Sequence, residues 1–411
     1  MHDWRRNQAA LMVASFVGFT GFTLVMPFLA LRFQGLGVHD TRAVALWTGV
    51  TLGVTPAVAA ACAPLWGRVG DRFGNKLLVQ RSLFFCVFVM TFMGLATQPW
   101  QLFVLRALQG LFAGYGPLTI AMAAESAPRD KMAHAIGLVQ TSQRVAPAVG
   151  PVVGGVLAQA VGLRNSFFLA GAVYGLALLL VTVLYRETTQ AAIRAAAGRV
   201  RVPMRQILLI PNLLLLMGVI FGLQLTERSL GPVLLLHVEA LGYVRAAVFV
   251  GVLFSLLSVA GALGHQIAAS ALARASARRV IATAIVAAAI GLAWFTASSA
   301  AWALMAGILA VGIGVGVAMT AAFTAAGARI PRHVHSTSFG FLTGASLTGT
   351  AAGPVLGGLV AARSITGVFA LGVVVLVSLA VFVRRGMAED EPGRVGRGGQ
   401  VRQVGQVGDD T

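Results

Sequence analysis

Gly150-Pro151-Val152-Val153-Gly154-Gly155 and Gly353-Pro354-Val355-Leu356-Gly357-Gly358 are two copies of one pattern, 203 residues apart in a chain of 411. The match extends upstream. Gly340 and Gly349 precede the second copy where Gly137 and Ala146 precede the first. The same shift carries Pro128-Arg129 onto Pro331-Arg332 and Lys76 onto Arg279. One register fits three separate places without gaps, which points to duplication. Both copies lie in long apolar stretches. Glycine-lined, proline-bent membrane helices that occur twice imply a two-fold protein whose halves move against each other.

The composition sets the class. The chain is 57% hydrophobic and 11% charged, with a mean hydropathy of +0.84. A soluble fold of this size has no interior large enough for so much apolar surface. Apolar stretches of about 20 residues, the length that crosses a bilayer as a helix, recur along the chain. A membrane barrel would instead show short alternating strands. The reading is an all-α polytopic membrane protein.

Twelve spans are expected, at about 10–31, 43–66, 77–96, 100–124, 134–159 and 164–185, then 207–236, 245–269, 278–298, 301–325, 336–361 and 364–385. The net charge of +18 would suggest nucleic acid in a soluble protein. Here it reports topology, because basic residues stay on the cytoplasmic side. Arg68, Arg72, Lys76 and Arg81, then Arg129 and Lys131, Arg186 to Arg205, Arg274 to Arg279, and Arg384 and Arg385 all fall on one set of loops. Both termini are therefore expected in the cytoplasm. Arg5 and Arg6 precede a long apolar run without a clear cleavage site, read as the first span. Cys62 and Cys86 lie inside apolar segments and read as packing residues, so no metal site is expected.

The longest internal polar connection, 187–206, separates residues 1–186 from 207–386, each a bundle of six spans. Residues 387–411 turn to Gly, Arg, Gln, Asp and Glu and read as a disordered cytoplasmic tail.

The loop after span 2 reads Gly67-Arg68-Val69-Gly70-Asp71-Arg72-Phe73-Gly74-Asn75-Lys76. It resembles the signature loop Gly-x-x-x-Asp-Arg-x-Gly-x-Lys of the major facilitator superfamily. The opening pattern resembles the span-5 antiporter motif in the twelve-helix drug–proton branch of that family. The resemblance covers about residues 5–386. It implies two pseudo-symmetric six-helix bundles that rock around a central site. Gly67, Asp71, Arg72, Gly74 and Lys76 are expected to form a cytoplasmic latch near Ser336–Ser338, with Glu125 joining the charge network. Lys76 and Arg72 would pair with carboxylates. A solvated basic turn that only sets topology is the plainer reading. In the second half Asp71 aligns with Arg274 and Gly74 with Ala277, so the equivalent latch is degraded.

The motif residues Gly150, Pro151, Gly154, Gly155, Gly349, Gly353, Pro354, Gly357 and Gly358 let helices touch closely and bend. The expected contacts are span 5 with span 8, and span 11 with span 2. Charges inside spans are expensive and tend to face cavities. Three qualify as proton-coupling candidates: Arg106 in span 4, Arg144 in span 5 and Glu227 in span 7. The resemblance places an arginine like Arg106, followed by Gln-Gly, in proton transfer. Arginine stays protonated, so it would tune a nearby carboxylate or polarise a water. Structural readings are hydrogen bonding for Arg106 and an ion pair of Glu227 with Arg228 or Arg144. Pro27 and Pro232 occupy nearly equivalent places in spans 1 and 7. Phe22, Met26, Gln140, Gln143 and Gln224 are candidate cavity residues, with Phe16, Phe19, Phe28 and Phe221 as further apolar surface.

No phosphate loop, zinc spacing or nucleophile constellation appears, so neither an enzyme nor an ATP-driven pump is expected, and no cofactor. The expected function is proton-coupled export of a small amphipathic compound from a bacterial cytoplasmic (inner) membrane, as a monomer without nucleic acid. Its rivals are a facilitator or symporter importing a sugar, nucleoside or metabolite, and a non-transporting receptor or scaffold on the same fold.

Overall fold

Proline and glycine decide where the apolar spans stay straight and where they break. A computed structural model of the chain describes residues 3–73, 75–128, 131–186, 212–330 and 335–387. The latch residues Gly67, Asp71, Arg72, Gly74 and Glu125, the intramembrane Arg144, the linker 187–206 and the tail beyond 387 lie outside the described residues or side chains.

The first six spans run α1 (Asp3–Val25), a 3-10 turn (Met26–Phe28) and α2 (Leu29–Gln34); α3 (Thr41–Phe73); α4 (Asn75–Leu95); α5 (Pro99–Leu111) with α6 (Tyr115–Ser126); α7 (Met132–Ala160); and α8 (Leu163–Leu184). The second six run α9 (Leu213–Ser229) with α10 (Leu234–Ala240); α11 (Ala246–Arg274); α12 (Ala277–Ala297); α13 (Ala301–Arg329); α14 (His335–Ala361); and α15 (Ile365–Gly386). Among the described residues eight helices are long and apolar enough to cross a bilayer, and the bent α9–α10 pair makes nine.

Spans 1, 4 and 7 are each broken, which the apolar periodicity did not reveal. Pro27 is the second residue of the turn after α1, where its missing N–H interrupts the helical ladder. Span 7 bends by 42° between α9 and α10, at Gly231-Pro232. In span 4 Gly114 takes φ +122°, a conformation that favours glycine. A shift of 205 residues carries Pro27 onto Pro232 and the first residue of α2, Leu29, onto the first of α10, Leu234. The duplication therefore extends to the breaks.

Each half has its own apolar core. The first is built on Leu83, Met90, Met93, Phe167 and Tyr174. The second is built on Ile220, Ile285, Leu292, Phe295, Phe369 and Leu376. The second core also takes in Phe28, Ala30, Val44 and Ala45 of the first half. All four come from the end of spans 1 and 2 near the α2–α3 connection, so the halves join at that end.

The opposite end of the first half is tied by polar contacts. Asn7 Nδ2 donates to the Arg186 carbonyl at 2.8 Å, and the Arg186 N–H returns to Asn7 Oδ1 at 2.9 Å. Lys76 Nζ donates to the Tyr185 carbonyl at 2.8 Å and the Thr182 carbonyl at 3.5 Å. A cation on the last carbonyls of α8 satisfies orphan acceptors and suits the helix dipole. Lys76 is thus bound to backbone carbonyls, where a carboxylate partner was expected.

Within the second half, α12, α13 and α11 approach through missing side chains. A methyl added at Gly314 would stand 2.5 Å from the Ala284 carbonyl oxygen. Gly137, by contrast, has open space. Overpacking costs about 1–3 kcal/mol, whereas alanine is the better helix former by about 1 kcal/mol. Gly314→Ala is expected to lower the thermal unfolding temperature of the detergent-solubilised protein, and Gly137→Ala to hold or raise it.

Candidate functional site

The duplicated motif divides its glycines between two neighbours. On α7, Gly150 faces span 1, with the Thr20 carbonyl 3.1 Å from where a Cβ would stand. Gly154, one turn later, lies against the Leu24 carbonyl. Gly155, rotated by one residue, faces α11 of the other half, with the Ala247 carbonyl at 2.8 Å and Val248 Cα at 3.1 Å from its Cβ position. Gly251 of α11 answers by lying against the Pro151 carbonyl.

The second copy repeats this. Gly349, Gly353 and Gly357 of α14 face α9, the last two with the Leu225 and Ser229 carbonyls at 2.6 Å from the Cβ position. Gly358 turns to α3, against the Ala45 carbonyl at 2.6 Å and Gly49 Cα at 3.0 Å. Gly49 in turn lies against the Pro354 carbonyl. The structure places the expected span 5–span 8 and span 11–span 2 contacts here. It adds contacts to spans 1 and 7, which small-residue spacing alone did not assign. Backbone approach this close allows Cα–H···O contacts worth about 0.5–1 kcal/mol each.

Away from this seam the halves diverge. Gly137, Gly218 and Gly344 have no atom within 4 Å of their Cβ positions. An open cavity of about 480 Å³ lies between spans 2, 7 and 11, lined by Ala60, Met217, Gly218, Phe221, Phe341, Gly344, Ala345 and Thr348. Its walls are apolar except for Thr348. Phe221 is the one sequence candidate among them. The others escaped because small apolar residues carry no individual signal, although Gly218 and Gly344 stand out once their surroundings are empty.

A second cavity, about 220 Å³, lies inside the first half beside the break in span 4. Phe19, Phe22, Ser82, Cys86, Gln109, Tyr115 and Tyr174 contribute to its wall. Arg106, 1% exposed, lies behind two of its wall residues, Gln109 and Phe22. Its Nη1 donates to Gln109 Oε1, its Nε to the Thr51 carbonyl at 3.4 Å, and its guanidinium carbon stands 5.4 Å from the Phe22 ring centre. Thr55 Oγ1 donates back to the Arg106 carbonyl at 2.8 Å. Gln109 Nε2 reaches Cys86 Sγ at 3.9 Å. Among the described residues Arg106 meets neutral acceptors, so the expected carboxylate neighbour is replaced by amide and peptide dipoles. These contacts knit span 4 to span 2.

Glu227 lies in the last turn of α9, half-buried. Among the described residues its carboxylate has neither a hydrogen bond nor an ion pair, while its carbonyl accepts from the Leu230 N–H at 3.4 Å. Its neighbour Arg228 donates from Nε to Gln224 Oε1 at 3.4 Å, so the Glu227–Arg228 pair is not formed. Thr350 Oγ1 also approaches Gln224 Oε1, at 3.5 Å. Gln143 Nε2 donates to the Gly116 carbonyl and Thr119 Oγ1, each at 3.0 Å. Gln143 and Gln224 are therefore engaged between helices. Met26 is buried in the first-half core and borders neither cavity. Gln140 is exposed on α7.

The sequence pattern described as Major Facilitator Superfamily matches residues 11–276 and 216–405. Multidrug resistance protein MdtG of Enterobacter lignolyticus is 35% identical over 239 residues, covering 58% of this chain and 57% of the relative. The protein of the same name from Salmonella arizonae is 34% identical over 264 residues, covering 64% and 65%. The aligned part thus spans less than two thirds of these relatives. Among solved structures, a bacterial homolog of the human lysosomal transporter Spinster, inward-facing and unoccupied, superposes with a TM-score of 0.71 at 16% identity over 93% of this chain and 95% of its own. The nucleoside transporter NupG gives 0.72 at 13% identity, over 93% and 100%. Both likenesses are of fold.

Removing Arg106 leaves the Gln109 amide and the Thr51 carbonyl unmatched, at about 1–3 kcal/mol for each orphaned polar group. Arg106→Ala and Arg106→Lys are both expected to lower the unfolding temperature, read by exposure of the buried Cys86 thiol on heating. The lysine does not rescue, because one ammonium lacks the guanidinium's fork.

Proposed function

The chain belongs to the Major Facilitator Superfamily, and on that premise we propose that it exports small amphipathic compounds, drugs among them, in exchange for protons by alternating access. The observation that carries this reading is the paired seam, Gly155–Ala247 with Gly251–Pro151 and Gly358–Ala45 with Gly49–Pro354. It closes the halves at one end while the 480 Å³ cavity opens away from it. A seam of backbone against backbone needs no polar group to be stripped of water, so it opens and closes as a unit. The multidrug resistance names of the curated relatives support drugs as cargo. Apolar, aromatic and glycine walls suit an amphipathic substrate, and favour it over the hydroxyl-rich sugar or nucleoside of the importer reading.

In this account residues 1–186 and 207–386 are the two moving bundles, joined by 187–206. The basic loops lie in the cytoplasm with both termini. The seam then faces outward, and the cavity opens to the cytoplasm, where an exporter loads. The protein works as a monomer in the bacterial cytoplasmic membrane.

Glu227 is the proton carrier. It is an acid within an apolar span, and its carboxylate is not committed to a partner among the described residues. A proton or substrate shifts the equilibrium between two states only by binding one of them better. Glu227 sits one turn before the break in span 7, so its charge acts where that helix bends. Arg106 holds span 4 on span 2 and supplies a fixed positive charge in the first half. Arg144 extends that positive charge along span 5. Asp71 and Arg72, with Gly67, Gly74 and Glu125, latch the cytoplasmic side when the cavity faces outward.

Reconstitution in liposomes with an imposed pH gradient tests this. A lipophilic dye or antibiotic is expected to move against proton flow. In Glu227→Gln, gradient-driven accumulation is expected to fall at least about tenfold, a barrier change of ~1.4 kcal/mol or more, while substrate–substrate exchange persists. The reading fails if no compound moves with the gradient, and the carrier assignment fails if Glu227→Gln stays fully coupled.

A further inference from the structure

The seam flanks the pseudo-two-fold axis on both sides, and one polar contact lies between its two parts. Gln34 Nε2 donates to Glu239 Oε2 at 3.3 Å. Gln34 ends the half-helix α2, and Glu239 lies in the last turn of α10. They are also repeat mates: the shift of 205 residues that carries Pro27 onto Pro232 carries Gln34 onto Glu239. In an object with two-fold symmetry, equivalent points meet each other only near the axis. Gln34 and Glu239 therefore mark where the axis leaves the molecule at its closed end. Two carboxylates there would repel, and two amides would lack charge assistance. The duplicated positions have diverged into a donor and an acceptor.

Each half-helix has its own anchor in its own bundle, although Ala30 of α2 also packs in the second core. Arg32 Nη2 donates to the carbonyls of Gly94 at 3.1 Å and Ala96 at 2.7 Å, at the end of span 3. His237, the repeat mate of Arg32, is buried with its ring 4.9 Å from that of Phe369 and 5.6 Å from that of Phe295. Those rings belong to spans 12 and 9. Equivalent residues thus anchor equivalent half-helices, so α2 moves with the first half and α10 with the second. A rocking of the halves must separate Gln34 from Glu239.

We propose that Gln34 and Glu239 are the axial closing point of the outer gate, a positioning pair that meets when the cavity faces the cytoplasm and parts when it faces outward. This rests on the alternating-access reading above. The glycine seams supply the close packing. The axial pair supplies register, because a charge-assisted bond fixes which residues face each other. Both groups are near enough to the surface to be taken up by water on parting, so opening is not heavily penalised.

The test uses the full chain with Cys62→Ala and Cys86→Ala, carrying Gln34→Cys and Glu239→Cys. A short bis-maleimide is expected to bridge the pair in substrate-free proteoliposomes and to cut export at least about tenfold, while either single cysteine treated alike keeps its rate. Failure to bridge, or undiminished export by the bridged protein, overturns the proposal. If the Cys62→Ala, Cys86→Ala parent, with Gln34 and Glu239 intact, moves no compound, the transport reading fails, and spin labels then judge the gate. The distance between labels at 34 and 239 must lengthen under saturating substrate or a shifted proton gradient, while a same-half pair at Gln34 and Thr97 stays fixed. An unchanged 34–239 distance refutes the gate.

Discussion

The architecture depends on backbone carbonyls standing where side chains would normally begin. At Gly155, Gly358, Gly49 and Gly251 the other half of the molecule occupies the Cβ position. In a bilayer the surrounding tails are as apolar as leucine, so helices gain little by hiding apolar side chains from lipid. Close backbone contact, with its dispersion and Cα–H···O interactions, has to hold the halves together. Such contact is steep in distance. It is strong when the seam is closed and negligible once the seam opens by a few ångströms. That steepness is what the proposed alternating access needs, since it favours two discrete arrangements over intermediate ones.

The duplication builds a symmetric frame, and the chemistry on it is asymmetric. Arg106 is a buried cation among neutral dipoles in the first half. Glu227 is an acid without a described partner in the second. Neither has a like residue at its repeat position: a shift of 205 residues places Phe22 opposite Glu227. In the proposed mechanism, fixed positive charge in one bundle and a carboxylate in the other would let a single proton change the electrostatic balance between bundles that otherwise pack alike. Symmetry survives where backbone geometry matters, at Pro27 and Pro232, Arg32 and His237, and the two seams. It is lost where charge matters.

Much of this was legible in the residues. Apolar length marked the spans, and the two Gly-Pro copies marked the repeat that the breaks at Pro27 and Pro232 follow. Small-residue spacing marked the motif helices for close contact, and the contacts with spans 8 and 2 that the packing reading expected are formed. The breaks in spans 1, 4 and 7 were not legible. Hydropathy is blind to a missing N–H, and Gly114 looks like any other membrane glycine until its φ is known. The polar candidates were read as cavity residues because polar side chains in lipid draw attention. Gln143 and Gln224 instead satisfy each helix's neighbours, the commoner fate of an amide at that depth. The cavity wall of Ala60, Gly218, Gly344 and Ala345 was silent for the opposite reason, since its residues are distinguished only by what does not touch them.

The most direct measurement is side-specific labelling of single cysteines in oriented membrane vesicles. Gly218→Cys and Gly344→Cys line the open cavity, and Gly49→Ala leaves them untouched while crowding the seam. In the substrate-free parent, an impermeant maleimide should modify both cysteines from the cytoplasmic face and not from the outer face. With Gly49→Ala, whose new methyl meets the Pro354 carbonyl, labelling from the outer face should appear. Outer-face labelling of the parent, or a Gly49→Ala protein that labels like the parent, would contradict the account that this backbone seam holds the outer side shut.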